Sequence, residues 1–144
     1  IILEGAEDLE PGPHTVWREY EFKCKPGDVH RAPCVVSPYH YKIDWQMWFA
    51  AMSGWRYNPW ILNFTAKLLK NDPATLSLIA KNPFPEKPPK YIRARLYRYR
   101  FTTVEEKKQT GAWWSRTFLR DYLPPLSLEN PALRDILNAL GIPL

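Results

Sequence analysis

Residues 91–101 read Tyr-Ile-Arg-Ala-Arg-Leu-Tyr-Arg-Tyr-Arg-Phe, an alternation of apolar and basic side chains. Alternation over this length predicts a β-strand that turns one face to the core. The apolar positions form two sets of opposite phase, Ile92, Ala94 and Leu96 and then Tyr97, Tyr99 and Phe101. A bulge between Leu96 and Tyr97 would bring both sets to the core side and turn all the arginines outward.

A second strand is predicted over residues 15–23, which also alternate. One face carries Val16, Tyr20 and Phe22, and the other carries Trp17, Glu19, Glu21 and Lys23. Glu19 and Glu21 would then be cross-strand partners of the arginines in residues 91–101.

Residues 112–122 can be interpreted in two ways. Trp114, Phe118 and Tyr122 have helical i, i+4, i+8 spacing. Thr, Trp and Phe nevertheless favour strands, and a short polar turn at residues 105–111 precedes them. We therefore expect a hairpin with residues 91–103.

A short helix is predicted to begin with Asp44 as its cap and to end near Gly54. Its apolar residues follow the spacing of one helix face, and they are Trp45, Trp48, Phe49 and Met52. This spacing predicts that the face packs against the core. The alternative is that neighbouring tryptophans form an exposed patch for apolar clients or sugar rings.

Three further helices are indicated by an Asn or Asp cap followed by proline at the first helical position. They start at Asn58, Asp72 and Asn130, and the second extends to about Lys81. Four prolines make residues 82–89 an extended connector. The sequence thus predicts an α+β fold, an antiparallel β-sheet with a helical insertion in the middle and a C-terminal helix.

The composition is typical of a single domain covering residues 1–144. Hydrophobic residues make up 45% of the chain, yet no apolar run approaches the roughly 18 residues that a membrane span needs. A net charge of +5 is too modest to indicate a nucleic-acid partner by itself. Residues 1–5 read as a strand cut in mid-sequence, so we expect a segment of a larger protein.

The two cysteines allow several arrangements. Cys24, His30, Cys34 and His40 are four potential zinc ligands, but they lack the closely spaced Cys pair that is usual in zinc sites. A Cys24–Cys34 disulfide is favoured, because prolines and a glycine bend the intervening loop. Two reduced, packed thiols remain an alternative, whereas catalytic dithiols usually lie only two residues apart.

Asn63-Phe64-Thr65 is a glycosylation sequon, with Asn63 on the polar face of its predicted helix. A glycan at that position would leave the core intact. Together with a disulfide, the sequon favours an oxidising lumen.

The chain lacks the usual signatures of catalysis and of nucleic-acid binding. Arg-Tyr alternation can serve base stacking, but the tyrosines of residues 97–101 are predicted to face the core, so we expect no nucleic-acid partner. No nucleophile elbow, metalloprotease motif or phosphate-binding glycine loop occurs in the sequence. We therefore expect neither an enzyme nor a metal or cofactor site.

Several strings of the sequence resemble the lumenal domain of the lipase maturation factors. The most specific is Asp44-Trp45-Gln46-Met47-Trp48-Phe49-Ala50-Ala51. Other matching strings occur, in the order they have in the family, at residues 17–28, 31–34, 37–41, 78–84, 97–101, 111–114 and 122–128. Because both Cys24 and Cys34 are present, the chain looks closer to the first of the family's two paralogues.

The resemblance implies the C-terminal lumenal part of a polytopic endoplasmic-reticulum membrane protein, whose transmembrane helices lie outside this chain. It implies a chaperone-like factor, rather than a lipase, that helps dimeric lipases fold. The expected partners are lipoprotein lipase and related dimeric lipases. The family provides no catalytic residues to transfer to this sequence.

A chaperone for unassembled subunits needs exposed apolar area bordered by charge. The residues that supply both, and that we expect to contact clients, are Trp45, Trp48, Arg98, Arg100, Trp113 and Trp114. A glycan-binding module would use the same tryptophans, and a redox helper would need Cys24 and Cys34 to cycle.

Overall fold

The computed structural model describes residues 1–34 and 42–142, and it has the predicted α+β architecture. The strands are β1 (Ile2–Ala6), β2 (Arg18–Glu19), β3 (Glu21–Phe22), β4 (Ile79–Lys81), β5 (Tyr91–Phe101) and β6 (Trp114–Leu126). The helices are α1 (Lys42–Ala50), α2 (Trp60–Leu69), α3 (Pro73–Leu76), α4 (Val104–Thr110) and α5 (Pro131–Ala139), with a 3₁₀ turn at Trp55–Tyr57.

The main sheet has the strand order β2-β1-β5-β6, and every pairing in it is antiparallel. The predicted strand over residues 91–101 is confirmed as β5, and the predicted hairpin partner is confirmed as β6. The strand predicted at the start of the chain is β1, which pairs with β5 from Ile2–Arg95 to Ala6–Tyr91. β5 is thus flanked on both sides.

The register between β5 and β6 shifts at the predicted bulge, but the extra residue belongs to β6. Leu96 pairs with Arg120 and Tyr97 with Phe118, so β6 advances by two residues while β5 advances by one. The alternation of β5 therefore continues, and the Arg95 guanidinium lies 4.0 Å from the Phe118 ring centroid on the tyrosine face. The expectation that the tyrosines join the core face and all arginines turn outward is wrong.

The predicted strand over residues 15–23 changes sheets at Tyr20. The Tyr20 N–H donates to the carbonyl of Leu3 at 2.9 Å, while β2 pairs with β1 and β3 pairs with β4 in a second, two-stranded sheet. Tyr20 and Phe22 are buried as predicted, but Val16 is 68% exposed, so its assignment to that face is wrong.

The predicted partnership of Glu19 and Glu21 with the arginines of β5 is also wrong. β1 lies between β2 and β5, which keeps the two strands apart. Glu19 instead pairs with Arg116 of β6 at 2.6 Å, and Glu21 pairs with Arg31 at 3.5 Å.

Helices α2 and α5 form where the capping signals place them. The side chain of Asn130 accepts hydrogen bonds from the backbone N–H groups of Ala132 and Leu133 at the start of α5. Leu133 and Leu137 of α5 are buried, as is the apolar face of α2 around Leu68. Both helices therefore cover the core with an apolar face.

Three local predictions differ from the structure. Asn58 does not cap α2, because the capping position is Pro59 and no side chain caps the helix, and the Asn58 amide instead donates to Ser53 Oγ at 2.8 Å. The helix that starts after Asp72 ends at Leu76 instead of Lys81, since the following residues form β4. The polar turn predicted at residues 105–111 is instead mostly helical, since α4 covers Val104–Thr110.

The core lies between the main sheet and the helices. Its sheet side comes from β1, β5 and the end of β6, and its helix side comes from α1, α2 and α5. The fully buried members include Leu3, Met47, Ile61, Leu68, Ile92, Leu133 and Leu137. Side chains that lie outside this core remain exposed at the surface and are available for contacts.

Gly5 provides a test of how closely β1 packs. A methyl group on its Cα would lie 2.5 Å from Phe84 Cε2 and 3.2 Å from Pro89 Cβ. We expect Gly5→Ala to lower the free energy of unfolding by about 1–3 kcal/mol through overpacking. Urea denaturation followed by tryptophan fluorescence would measure the change.

Gly12→Ala is the matched control, because nothing lies within 4 Å of the added methyl group. It should alter stability by less than about 0.5 kcal/mol. Equal stability of the two variants would contradict the close approach of Phe84 to β1.

Candidate functional site

The predicted apolar face of α1 points away from the core. Trp45, Trp48, Phe49 and Met52 are 45%, 50%, 49% and 65% exposed, and we call this set the α1 aromatic face. The buried residues of α1 are Ile43, Asp44, Met47 and Ala50. The prediction that the aromatic face packs into the core is therefore wrong, and the alternative of an exposed patch is the arrangement observed.

The three rings of the α1 aromatic face contact one another. The ring centroid of Trp45 lies 5.0 Å from that of Trp48 and 5.0 Å from that of Phe49, and 5.2 Å separates Trp48 from Phe49. Edge and offset contacts at these distances contribute about 0.5–1.5 kcal/mol each. The rings therefore hold each other in place while presenting apolar area to solvent.

The predicted tryptophans of the hairpin have different surroundings. Trp113 is 36% exposed, with the Lys107 ammonium 3.4 Å from its ring centroid. Trp114 is half-buried, stacks on Phe101 at 4.4 Å, and donates from Nε1 to the carbonyl of Arg31 at 3.1 Å. Trp114 is thus partly a structural anchor.

The structure brings only some of the predicted contact residues together. Trp48 and Trp114 line one groove of about 400 Å³, together with Tyr97 and Tyr99 of β5. Arg98 and Arg100 are exposed, and because they alternate with those tyrosines they lie on the opposite face of β5. Arg100 is also paired with Glu106 of α4 at 3.2 Å.

Residues 24–34 form a loop closed by the predicted disulfide between Cys24 and Cys34, whose Cα atoms are 5.2 Å apart. Arg31 stabilises the loop, because its guanidinium donates hydrogen bonds to the carbonyl oxygens of Phe22 and Lys25. The loop is therefore held by one covalent bond, by a hydrogen bond to its own backbone and by a hydrogen bond to the backbone of β3.

Asp44 joins this loop to α1. It is not the predicted helix cap, since α1 begins at Lys42 and Asp44 lies within its first turn. Its buried Oδ2 accepts hydrogen bonds from the backbone N–H groups of Cys24 at 2.6 Å and Lys25 at 2.7 Å. The sequence offered no sign of this contact, because its partners are about twenty residues away.

The same loop is also hydrogen-bonded to the β5–β6 hairpin. The backbone N–H groups of Trp113 and Trp114 donate to the carbonyl of Val29 at 2.8 and 3.1 Å. The Tyr99 hydroxyl donates to the carbonyl of Gly27 at 2.6 Å. One loop thus fixes the relative positions of the α1 aromatic face and the hairpin.

Ionisable groups at the base of the loop are poorly solvated. Burial lowers the pKa of Lys25 to about 8, although the carboxylates of Glu21, Glu19 and Asp44 raise it. The unfolded chain therefore binds more protons than the folded chain between about pH 8 and 10.5, so this group makes stability rise with pH in that window. Burial also raises the pKa of Glu21.

The sequence profile of the Lipase maturation factor C-terminal domain matches residues 1–124. The chain belongs to the lipase maturation factor family. Lipase maturation factor 1 of Homo sapiens is 46% identical over the whole of this chain, and that of Mus musculus is 47% identical over 90% of it. Lipase maturation factor 2 of Homo sapiens is 37% identical over 99%. The predicted closer likeness to factor 1 is confirmed.

The chain spans only part of these relatives. It covers 26% and 23% of the two factor 1 proteins and 20% of factor 2. No solved structure matches it. In the described part of this lipase maturation factor domain, no helix combines the length and apolar character needed to cross a membrane.

The four residues considered as zinc ligands do not form a site within the described part of the domain. Cys24 and Cys34 are bonded to each other, which removes both thiolates. His30 is exposed, and its backbone N–H donates to Asp28 Oδ1 at 2.9 Å. His40 lies outside the described residues.

The sequon of this domain lies within α2. Asn63 is half-buried, and the Thr65 hydroxyl is fully buried and donates to the carbonyl of Ile61 at 2.8 Å. Glycosylation of Asn63 remains a prediction, and it requires α2 to be unfolded when the sequon is read.

Replacing Asp44 tests the link between the disulfide loop and α1. Asp44→Ala leaves two backbone N–H groups without their acceptor, so we expect the free energy of unfolding to fall by about 2–3 kcal/mol. Asp44→Asn keeps an acceptor oxygen and should lose less. Urea denaturation at neutral pH measures both.

Asp135→Ala removes an exposed carboxylate from α5 and serves as the control, with an expected change below about 0.5 kcal/mol. If Asp44→Ala were no more destabilising than this control, the link would contribute nothing to stability.

Proposed function

We propose that this domain is a non-catalytic, chaperone-like module that binds incompletely folded lipase subunits and assists their assembly into dimers. The observation that supports it most is the α1 aromatic face, a cluster of mutually packed rings held at the surface of a helix. Membership of the lipase maturation factor family supports lipases as the clients. Lipoprotein lipase and related dimeric lipases are the proposed partners.

An exposed aromatic cluster is costly for an isolated domain. Covering apolar surface contributes about 25 cal/mol for each Å² removed from water, so the cluster gains free energy when a partner covers it. Met52 adds an adaptable side chain that fits irregular apolar surfaces. A surface of this kind suits clients whose exposed segments vary.

Selectivity for unassembled clients follows from what each form exposes. A lipase subunit that has not dimerised leaves its apolar dimer interface in water, whereas the mature dimer buries it. The module would act before assembly because its affinity for the subunit that has not dimerised exceeds its affinity for the mature dimer.

The proposed client contact has two parts. The first is the α1 aromatic face, which includes Trp45 and Trp48 and continues across the groove to Trp114. The second lies on the other side of the hairpin and contains Arg98, Arg100 and Trp113. The first part supplies apolar area, and the second supplies positive charge.

The double variant Trp48→Ala with Phe49→Ala tests the first part. We expect the immobilised domain to capture at least about tenfold less unfolded or monomeric lipoprotein lipase, because aromatic hot spots contribute about 2 kcal/mol or more each. Both side chains are half exposed, so the circular dichroism spectrum should stay unchanged. A pull-down with quantified capture is the measurement.

Tyr57→Ala is the control, since Tyr57 is an 83% exposed aromatic residue outside this surface. Undiminished capture by the double variant would reject the α1 aromatic face as the contact. Equal capture of the mature dimer would reject selectivity for unassembled clients. Release of the client by free sugars would favour the glycan-binding alternative.

We place the domain in the lumen of the endoplasmic reticulum, as part of a membrane protein whose transmembrane helices lie outside this chain. The disulfide and the sequon support an oxidising, glycosylating compartment. The Cys24–Cys34 bond, which closes the loop between α1 and the hairpin, is proposed to be structural rather than to cycle.

Expression in the secretory pathway of a mammalian cell tests whether Asn63 accepts a glycan there. We expect a single glycan on Asn63, seen as a gel mobility shift that a glycan-removing amidase abolishes and that is absent in Asn63→Gln. Asn138→Gln, which lies outside any sequon, should keep the shift. An unshifted wild-type domain would refute the glycan at Asn63.

A further inference from the structure

The outer edge of β6 is open over much of its length. β6 is the last strand of the main sheet and pairs with β5 on its inner edge. In the part of the chain that the structure describes, no backbone hydrogen bond joins residues 115–121 to any element except β5. Residues 117–121 are all exposed. We infer that this edge accepts an extended segment of a partner polypeptide as an added strand.

An edge strand presents unpaired N–H and C=O groups at alternate residues, and another chain can pair with them. The opposite edge of this sheet, β2, is only two residues long and offers little to pair with. On β6 the opening is limited at one end by Pro124 and Pro125, which have no N–H to donate. The usable edge therefore lies before these prolines, and its regular part is residues 115–118, because the pairing with β5 shifts between Phe118 and Arg120.

The charge along this edge selects an acidic partner. Arg98 of β5 lies opposite Thr117, and Arg100 lies opposite Ser115, so small side chains separate these arginines from the edge. Arg100 is already paired with Glu106, so Arg98 is the main cation of β5 at this edge. An added strand would lie roughly 10 Å from β5, two strand spacings away, which is within reach of an arginine and a glutamate together. Arg120, exposed on β6 itself, adds a further cation.

The other face of the hairpin is apolar and aromatic. Phe118 is 43% exposed, and its ring packs against Tyr97 at 5.7 Å. An added strand that alternates acidic and apolar residues would set its acids beside the arginines and its apolar side chains beside Phe118. The partner is thus an extended segment in which glutamate or aspartate alternates with β-branched or aromatic residues.

A second copy of this chain fits the edge poorly. Residues 115–121 contain Arg116 and Arg120 but only one acid, Asp121, so a second copy would add net positive charge beside the arginines of the hairpin. The β6 edge is therefore unfavourable for a second copy of β6 and favourable for an acidic strand. This inference concerns a different surface from the α1 aromatic face, and its test requires no lipase.

The test uses the whole 144-residue chain and fluorescein-labelled ten-residue peptides. The first alternates valine with glutamate, and the second alternates valine with lysine. We expect fluorescence anisotropy to show binding of the glutamate peptide and at least tenfold weaker binding of the lysine peptide. Hydrogen exchange of the amides in residues 115–121 should slow when the glutamate peptide is bound.

Charge reversal distinguishes the β6 edge from general attraction to a basic protein. The double variant Arg98→Glu with Arg120→Glu should bind the glutamate peptide at least tenfold more weakly and the lysine peptide more tightly. Lys67→Glu with Lys70→Glu changes the net charge equally at two exposed positions, one in the last turn of α2 and one directly after it, and should leave both affinities within about twofold. Equal losses in the two variants would overturn the inference.

Backbone pairing is tested with the peptide instead of the protein, so no folding defect can interfere. Successive N–H groups of a strand point to opposite edges, so the N–H groups of the valines all face one edge and those of the glutamates face the other. One peptide is N-methylated on its valines and another on its glutamates, and we expect only one of these two peptides to lose binding. Strand addition is refuted if neither methylated peptide loses affinity. It is also refuted if neither unmethylated peptide binds with a dissociation constant below 1 mM. Protection of residues 115–121 by self-association without peptide would refute it as well.

Discussion

The buried carboxylate of Asp44 is the contact on which the arrangement of this domain depends. It receives two backbone N–H groups from the start of the disulfide loop, and that loop in turn receives N–H and hydroxyl donors from the β5–β6 hairpin. A helix and a hairpin far apart in sequence are thereby connected through one short loop. The position of the α1 aromatic face relative to the groove follows from these bonds.

Elements whose signals are local could be predicted from the sequence. The alternation of residues 91–101 and the Asn130-Pro131 start of α5 concern neighbouring residues, and both elements form where expected. The pairing of Cys24 with Cys34 also required no knowledge of distant residues. These features depend on the chain's own geometry, so the fold class follows from them.

The candidate site was harder to predict, because two faces of α1 satisfy the same spacing rule. Ile43, Met47 and Ala50 repeat at helical intervals just as the aromatic residues do, and the smaller residues are the buried ones. Hydrophobic strength alone therefore indicates the wrong face. Similarly, the position of the extra residue near Phe118 depends on pairing between two strands, which neither strand reveals alone.

The short stretch from Glu21 to Lys25 closes the helical insertion at both of its ends. Glu21 and Phe22 pair with β4 at the end of the insertion, while Cys24 and Lys25 hold its first helix through Asp44. The intervening chain is therefore a closed lobe with one base, and the entropy of closing it is offset at a single place. Opening that base leaves α1 and α2 held only by their apolar contacts with the core, so we expect their amides to exchange faster once it opens.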